Sequence, residues 1–142
     1  MSLNGTYDFT QVSLIVGTRQ IKGFEDGSEI TAERDEDSFS KKVDVDGNVT
    51  RSKTNNSTGK ITFTLSQFSE DNAYLQNLMN IDERTGAGIV PVKLVDNSNP
   101  SLEIAIATEA WITKPSSKSF GRESGPREWV VDCANLNFLN SL

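Results

Sequence analysis

The sequence predicts a mainly β domain: an antiparallel β-sandwich or barrel with one flanking α-helix and a long extended hairpin. Three observations carry this. Apolar residues recur with a period of two in most segments, as half-buried strands require. One segment only, Glu70 to Ile81, has helical spacing. A stretch at 35–58 is long, charged and poor in large apolar residues, which suits an exposed excursion rather than core. At 142 residues the chain is one domain's worth, 1–142, long enough to bury a core without staples.

The elements follow in chain order. Residues 1–10 read as an N-terminal arm; Met1 to Thr10 lacks a basic segment followed by an apolar stretch, so no secretory signal is expected. In the first strand Val12, Leu14 and Val16 point one way and Gln11 and Ser13 the other. Gly17 to Gln20 reads as a turn, Gln20 to Gly23 as a short return strand, and Ser28 to Arg34 as a third strand. Lys60 to Ser66 alternates Ile61, Phe63 and Leu65 against Thr62, Thr64 and Ser66. In the helix, Tyr74, Leu78 and Ile81 form one ridge and Leu75 and Met79 the next. Ser69 is the expected N-cap, and Gly86 and Gly88 end the helix by about residue 85. Ile89 to Val95 is an apolar strand containing Pro91, whose missing N–H places it at an edge or at a bulge. Leu102, Ile104 and Ile106 begin a strand running to Thr113, with Glu103, Ala105, Ala107, Glu109 and Trp111 on its other face. The last strand is expected over Trp129 to Leu139, with Val130, Ala134, Leu136 and Phe138 sharing a face.

Composition removes several functions. The chain has no His, so neither a Ser-His-Asp nor a Cys-His centre is available within it. Cys133 is the single cysteine, which rules out an intrachain disulfide and a multi-thiolate zinc site. It reads as a small apolar strand residue. No apolar run approaches the roughly 18 residues of a membrane span. The net charge of −6 argues against wrapping nucleic acid. No catalytic, cofactor or metal residues are nominated, and no cofactor is expected. Asp44-Val45-Asp46-Gly47-Asn48 starts like a calcium loop, but Val49 stands where the loop glycine belongs and Asn55 where its bidentate Glu belongs. Asp46-Gly47 suits a two-residue hairpin turn instead.

Charge is segregated along the chain. Residues 25–37 hold Glu25, Asp26, Glu29, Glu33, Asp35, Glu36 and Asp37 against Arg34 alone. The following 38–60 reverses sign, with Lys41, Lys42, Arg51, Lys53 and Lys60 facing Asp44 and Asp46. From residues alone this is an acidic antiparallel β domain with a charged hairpin, more suited to structural or binding roles than to catalysis.

The ordered pattern resembles the tail tube proteins of contractile-tailed bacteriophages and their prophage and tailocin relatives. Tyr7 to Gly17 looks like that family's opening strand, and Glu29 to Asp35 followed by the excursion to Thr58 looks like its long stacking hairpin. Gly59 to Leu65 and then Ser69 to Met79 follow its strand-then-helix order, and Trp129 to Ala134 resembles its last long strand. The resemblance implies homo-hexameric rings that stack into a tube, with strands of all subunits joined in one barrel around a lumen that conducts DNA without specific binding. It implies a contractile sheath, a baseplate or tube initiator and a tape measure protein as partners. It also implies a place in the virion after assembly in the bacterial cytoplasm, and no membrane. Lys41, Lys42, Asp44, Asp46, Arg51 and Lys53 would then make inter-ring contacts, with Glu33, Asp35, Glu36 and Asp37 on an acidic lumen or interface. Phe9 to Val16 and Lys60 to Ser66 would be barrel strands, with the helix outside. The type VI secretion tube proteins share this fold and form the first alternative. A β-sandwich binding module is the second, and an enzyme working with carboxylates alone the third.

Overall fold

The computed structural model describes residues 2–140, so Met1 of the predicted arm and the last two residues lie outside the described region. The strands are β1 (Val12–Val16), β2 (Arg19–Gln20), β3 (Thr31–Arg34), β4 (Phe39–Val43), β5 (Val49–Lys53), β6 (Gly59–Leu65), β7 (Val90–Asp96), β8 (Glu103–Ile112), β9 (Arg127–Cys133) and β10 (Asn137–Asn140). The helix α1 spans Asp71–Thr85. Eight strands form one antiparallel sheet in the order β2-β1-β7-β8-β9-β6-β3, with β10 paired to β8; β4 and β5 form a separate ribbon. The sheet curls about its core as a sandwich does, without closing into a barrel.

The core is built from cross-strand rows. Leu14, Leu94 and Ala105 align, as do Val16, Val92 and Ala107. On the other side of β8, Ile61, Val131 and Ile112 align, and Phe63 lies opposite Trp129. Apart from Leu94, which is partly buried, these side chains are almost wholly removed from water. Each large one contributes about 1.5–3 kcal/mol of burial. The period of two expected for Val12 to Val16 and Lys60 to Ser66 is therefore real, and β6 alternates without a break.

Several expected faces and boundaries change: the return strand is Arg19–Gln20 in place of Gln20 to Gly23, and the third strand begins at Thr31 in place of Ser28. In β8 the inward residues are Ala105, Ala107, Ala110 and Ile112, whereas Ile104 and Ile106 lie on the outer face. The phase steps because the β7–β8 register shifts between Val90 and Val92, leaving Thr108 and Glu109 opposite Pro91. A bulge at this proline replaces a ladder position that it cannot fill. Pro91 is therefore at a bulge and not at an edge: β7 lies between β1 and β8. The last expected strand is two strands. Trp129, Val131 and Cys133 face the core in place of Val130 and Ala134, and a bend at 134–136 sends β10 to the other end of β8. Leu136 is nonetheless buried. Phe9 to Gln11 forms a 3-10 turn rather than the start of β1, capped by the Asp8 carboxylate, which accepts from the Thr10 N–H at 2.9 Å.

The helix takes its expected place. Leu75 and Met79 are buried, Tyr74 and Leu78 pack beside them, and Ile81 is exposed. Gly86 ends the helix in the left-handed region at φ 72°, donating its N–H to the Asp82 carbonyl at 2.8 Å. At the other end the N-cap is Glu70 in place of the expected Ser69, and its side chain makes no capping bond; Ser69 Oγ accepts weakly from the Asp71 N–H at 3.3 Å and donates to the Lys22 carbonyl at 2.7 Å. The buried Asp71 carboxylate accepts from Arg19 Nε and, at 2.6 Å, from the Lys22 N–H. Tyr74 Oη donates to the Val16 carbonyl at 2.9 Å. Together these bonds fasten the β1–β2 turn to the start of α1.

Asp71→Ala leaves the Lys22 N–H and the Arg19 guanidinium without this acceptor. It is expected to lower unfolding stability by about 1–3 kcal/mol in a urea titration. A change under a few tenths would show that these bonds do not anchor the turn.

Candidate assembly interface

The candidate site is the β4–β5 ribbon and the surfaces near it. β3 ends at Arg34, the chain leaves the body through 35–38, and it returns through 54–58 into β6. Every residue of β4 and β5 is exposed. A two-stranded ribbon of this kind is marginal in water by itself, so its root and turn matter. Arg34 Nε donates to the Leu136 carbonyl at 2.9 Å and its Nη1 to Ser38 Oγ at 3.1 Å. Thr54 donates its N–H to the Ser38 carbonyl at 2.9 Å and its hydroxyl to the Asp37 carbonyl at 2.7 Å. The Asp35 N–H reaches the Thr58 carbonyl at 3.0 Å, while the Asp35 carboxylate accepts from Thr58 Oγ1 at 2.9 Å.

The turn differs from the two-residue form expected at Asp46-Gly47. Val43 pairs with Val49, Gly47 donates to the Asp44 carbonyl at 3.1 Å, and Gly47 has φ 86°. This is a type I turn followed by a left-handed glycine, the three-residue loop with its bulge. The Asp44 carboxylate is spent on that loop, accepting from the N–H groups of Asp46 at 3.0 Å and Asn48 at 2.8 Å. Of the six residues expected to make contacts, Asp44 therefore shapes the turn, while Lys41, Lys42, Asp46, Arg51 and Lys53 are all exposed.

Register sorts the ribbon into two unlike faces. Phe39 lies opposite Lys53, Lys41 opposite Arg51, and Val43 opposite Val49. Directly opposed residues share a face, so three cations and three apolar side chains stand together. Ser40, Lys42, Thr50 and Ser52 occupy the other side. The Arg51 guanidinium lies 4.3 Å from the centre of the Phe39 ring. Lys41 opposite Arg51 is a like-charge pair that weakens the ribbon in isolation.

The four acids expected to act together separate by role. Glu33, on β3, lies 4.0 Å from Lys60 across the ladder, an exposed pair of small energetic weight. Asp35 is tied to Thr58, and Glu36 and Asp37 lie exposed in the root. Sequence reasoning missed a second surface. At the end of β3 away from the ribbon, a groove of about 480 Å³ opens between β3 and β10. Part of its apolar lining, such as Ile30, Leu94 and Phe138, was visible in the sequence, but only the phase of β8 and the course of β10 bring these residues together.

The comparisons with known proteins now settle the family. The family profile of the bacteriophage PhiTE tail tube protein matches residues 4–140. The chain belongs to that tail tube family. Structural protein ORF10 of Pseudomonas phage KPP10 is 29% identical over 141 residues, covering 94% of this chain and 80% of that protein. Among solved structures, the sheath/tube terminator of an extracellular contractile injection system, PVC, aligns with a TM-score of 0.66 at 14% identity, over 96% of this chain and 99% of that one. The tube-terminating cap of the anti-feeding prophage aligns at 0.66 and 13% identity, over 99% and 95%. A chain of the PVC sheath-tube complex aligns at 0.65 and 13%, over 97% and 94%. At these identities the structures establish a shared fold. This is a family of structural tail proteins.

Cys133 fits that picture. It is buried in β9, and burial, with Asp132 and Asp35 nearby, pushes its thiol from 9.0 up to about 11. The unfolded chain would lose this proton first, so the thiol's contribution to stability is full below pH 9 and declines as pH rises toward 11. Native protein at pH 8 is expected to react with a thiol reagent far more slowly than urea-unfolded protein. Equal rates would show that the β9 core face is open to solvent.

Proposed function

We propose that this protein is the repeating structural subunit of a contractile phage tail tube. In this reading it forms homo-hexameric rings that stack inside a sheath and conduct DNA during ejection. The observation that carries the proposal is the ribbon. All ten strand residues are exposed, held by a braced root, and none joins the core. A segment with that geometry is built for a neighbour. The family membership supplies the setting in which such a neighbour is another copy of the chain.

The physical requirements of a tube agree with the fold. β3 and β10 each have one strand partner among the described residues, which leaves edges for pairing across a ring. Head-to-tail contacts that close produce a ring, and contacts that do not close produce a filament. Lys41, Lys42, Asp46, Arg51 and Lys53 are the side chains through which the ribbon would reach the next ring. Glu33, Glu36 and Asp37 would carry negative charge to the lumen or to an interface, where it repels phosphate and keeps DNA from sticking. The sheath, a baseplate or tube initiator and a tape measure protein are the partners this role requires, with assembly in the bacterial cytoplasm. The fold likeness to tube terminators favours one second reading, a subunit that caps a tube instead of repeating along it.

Deleting residues 40–55 is expected to leave the body folded, by circular dichroism, and to abolish tubes in negative-stain micrographs. Full-length tubes from this variant would remove the ribbon from the assembly. A cap would form single rings and no tubes in the parent protein. Changing Glu33, Glu36 and Asp37 to Gln, Gln and Asn is expected to lower tube yield or infectivity; unchanged values for both would discard their electrostatic role.

A further inference from the structure

We infer that the groove between β3 and β10 is the receptor for the β4–β5 ribbon of a second copy of this chain. The inference rests on the tube reading and names the surface that reading leaves open. Its first support is chemistry. The groove has an apolar floor that includes Ile30, Leu94, Ala105 and Phe138, and Phe138 is 50% exposed. Its charged lining residues are Glu29, Asp96 and Glu103, all acidic. The ribbon face described above offers the complement: Phe39, Val43 and Val49, which are 46–63% exposed, beside Lys41, Arg51 and Lys53. The like-charge Lys41–Arg51 pair gains from an acidic surface what it lacks in the free chain.

The second support is placement. β3 and β10 are drawn together at the ribbon end, where Arg34 Nε donates to the Leu136 carbonyl at 2.9 Å. They part toward the other end, where Ile30 of the segment leading into β3 and Asn140 of β10 line the groove. Ribbon and groove thus occupy opposite ends of the same pair of strands. When copies stack in one direction, a donor at one end and its acceptor at the other serve two different neighbours. They are satisfied by copies arranged head to tail, which is the contact that propagates.

Charge also separates this occupant from the nearest rival, the N-terminal arm of another copy. Residues 2–8 bring no basic side chain to a groove whose charged residues are acidic. Tyr7 and Phe9 of the chain's own arm already line one wall.

The test is a charge exchange in the full-length protein. Glu29→Lys with Glu103→Lys is expected to bring sedimentable polymer down to background, as is Arg51→Glu with Lys53→Glu. Combining all four is expected to restore it. Each variant should keep the parent's circular dichroism and melting temperature, because the four side chains are exposed. A Val49→Cys, Phe138→Cys variant in concentrated solution is expected to give a disulfide-linked ladder that the parent, with only Cys133, does not.

Groove variants that polymerise like the parent, while the 40–55 deletion does not, overturn the groove and leave the tube reading standing. Polymer from the deletion variant overturns both. If the parent forms no polymer, the cross-link decides: a ladder supports the contact and its absence overturns it.

Discussion

Much of this architecture depends on the bulge where Pro91 meets Thr108 and Glu109. A proline cannot donate to the ladder, so β8 carries an extra residue there and steps its phase. Before the step, β8 is flanked by β7 and β10; after it, by β7 and β9. That exchange of partners turns one sheet into a curled one. It places the Leu14–Leu94–Ala105 row across the core from the rows that β6 and β9 contribute. It also turns Ile104 and Ile106 outward, so that this part of the sheet is apolar on both faces. A sheet apolar on both faces is suited to burial on both faces.

The second organising feature is the division of labour along β3. Its inner residue Ala32 packs against the core, while Arg34 turns to brace the ribbon root against Leu136. The acids on either side of these residues do not form one negative patch. Glu29 stands by the groove, Glu33 against Lys60, and Asp35 to Asp37 at the ribbon root. The acids of 25–37 are thus divided, with Glu29 at the groove and Asp35 to Asp37 next to a ribbon of opposite sign. In the proposed assembly, charge placed in this way would set orientation and register between copies more than affinity, and the apolar residues beside it would drive the contact.

The candidate surface was partly legible in the sequence. The excursion at 35–58 stood out because it lacks large apolar residues and carries reversed charge. The sorting of Lys41, Arg51 and Lys53 onto one face with Phe39, Val43 and Val49 depends on register, and register depends on the turn. An Asp-Gly pair suggests two loop residues; the Asp44 side chain, by binding two N–H groups, stabilises three. One residue more in the loop changes which residues oppose each other along the ribbon. The groove showed in the sequence only as scattered apolar residues, since its walls come from the arm, the approach to β3, and β7, β8 and β10.

By itself the sequence determined the β class, the single helix from its 3.6-residue spacing, the exposed hairpin, and the exclusion of imidazole and multi-thiolate chemistry. These follow from residue type and short-range periodicity, which act within a few positions along the chain. The tertiary structure decided which face of β8 is the core, where the last strand breaks, and how Leu136 stays buried while β10 leaves for another partner. It also decided that the ribbon and the acidic groove stand at opposite ends of β3. Those outcomes rest on pairings between residues far apart in sequence, where the missing N–H of one proline moves the partner strand by one residue.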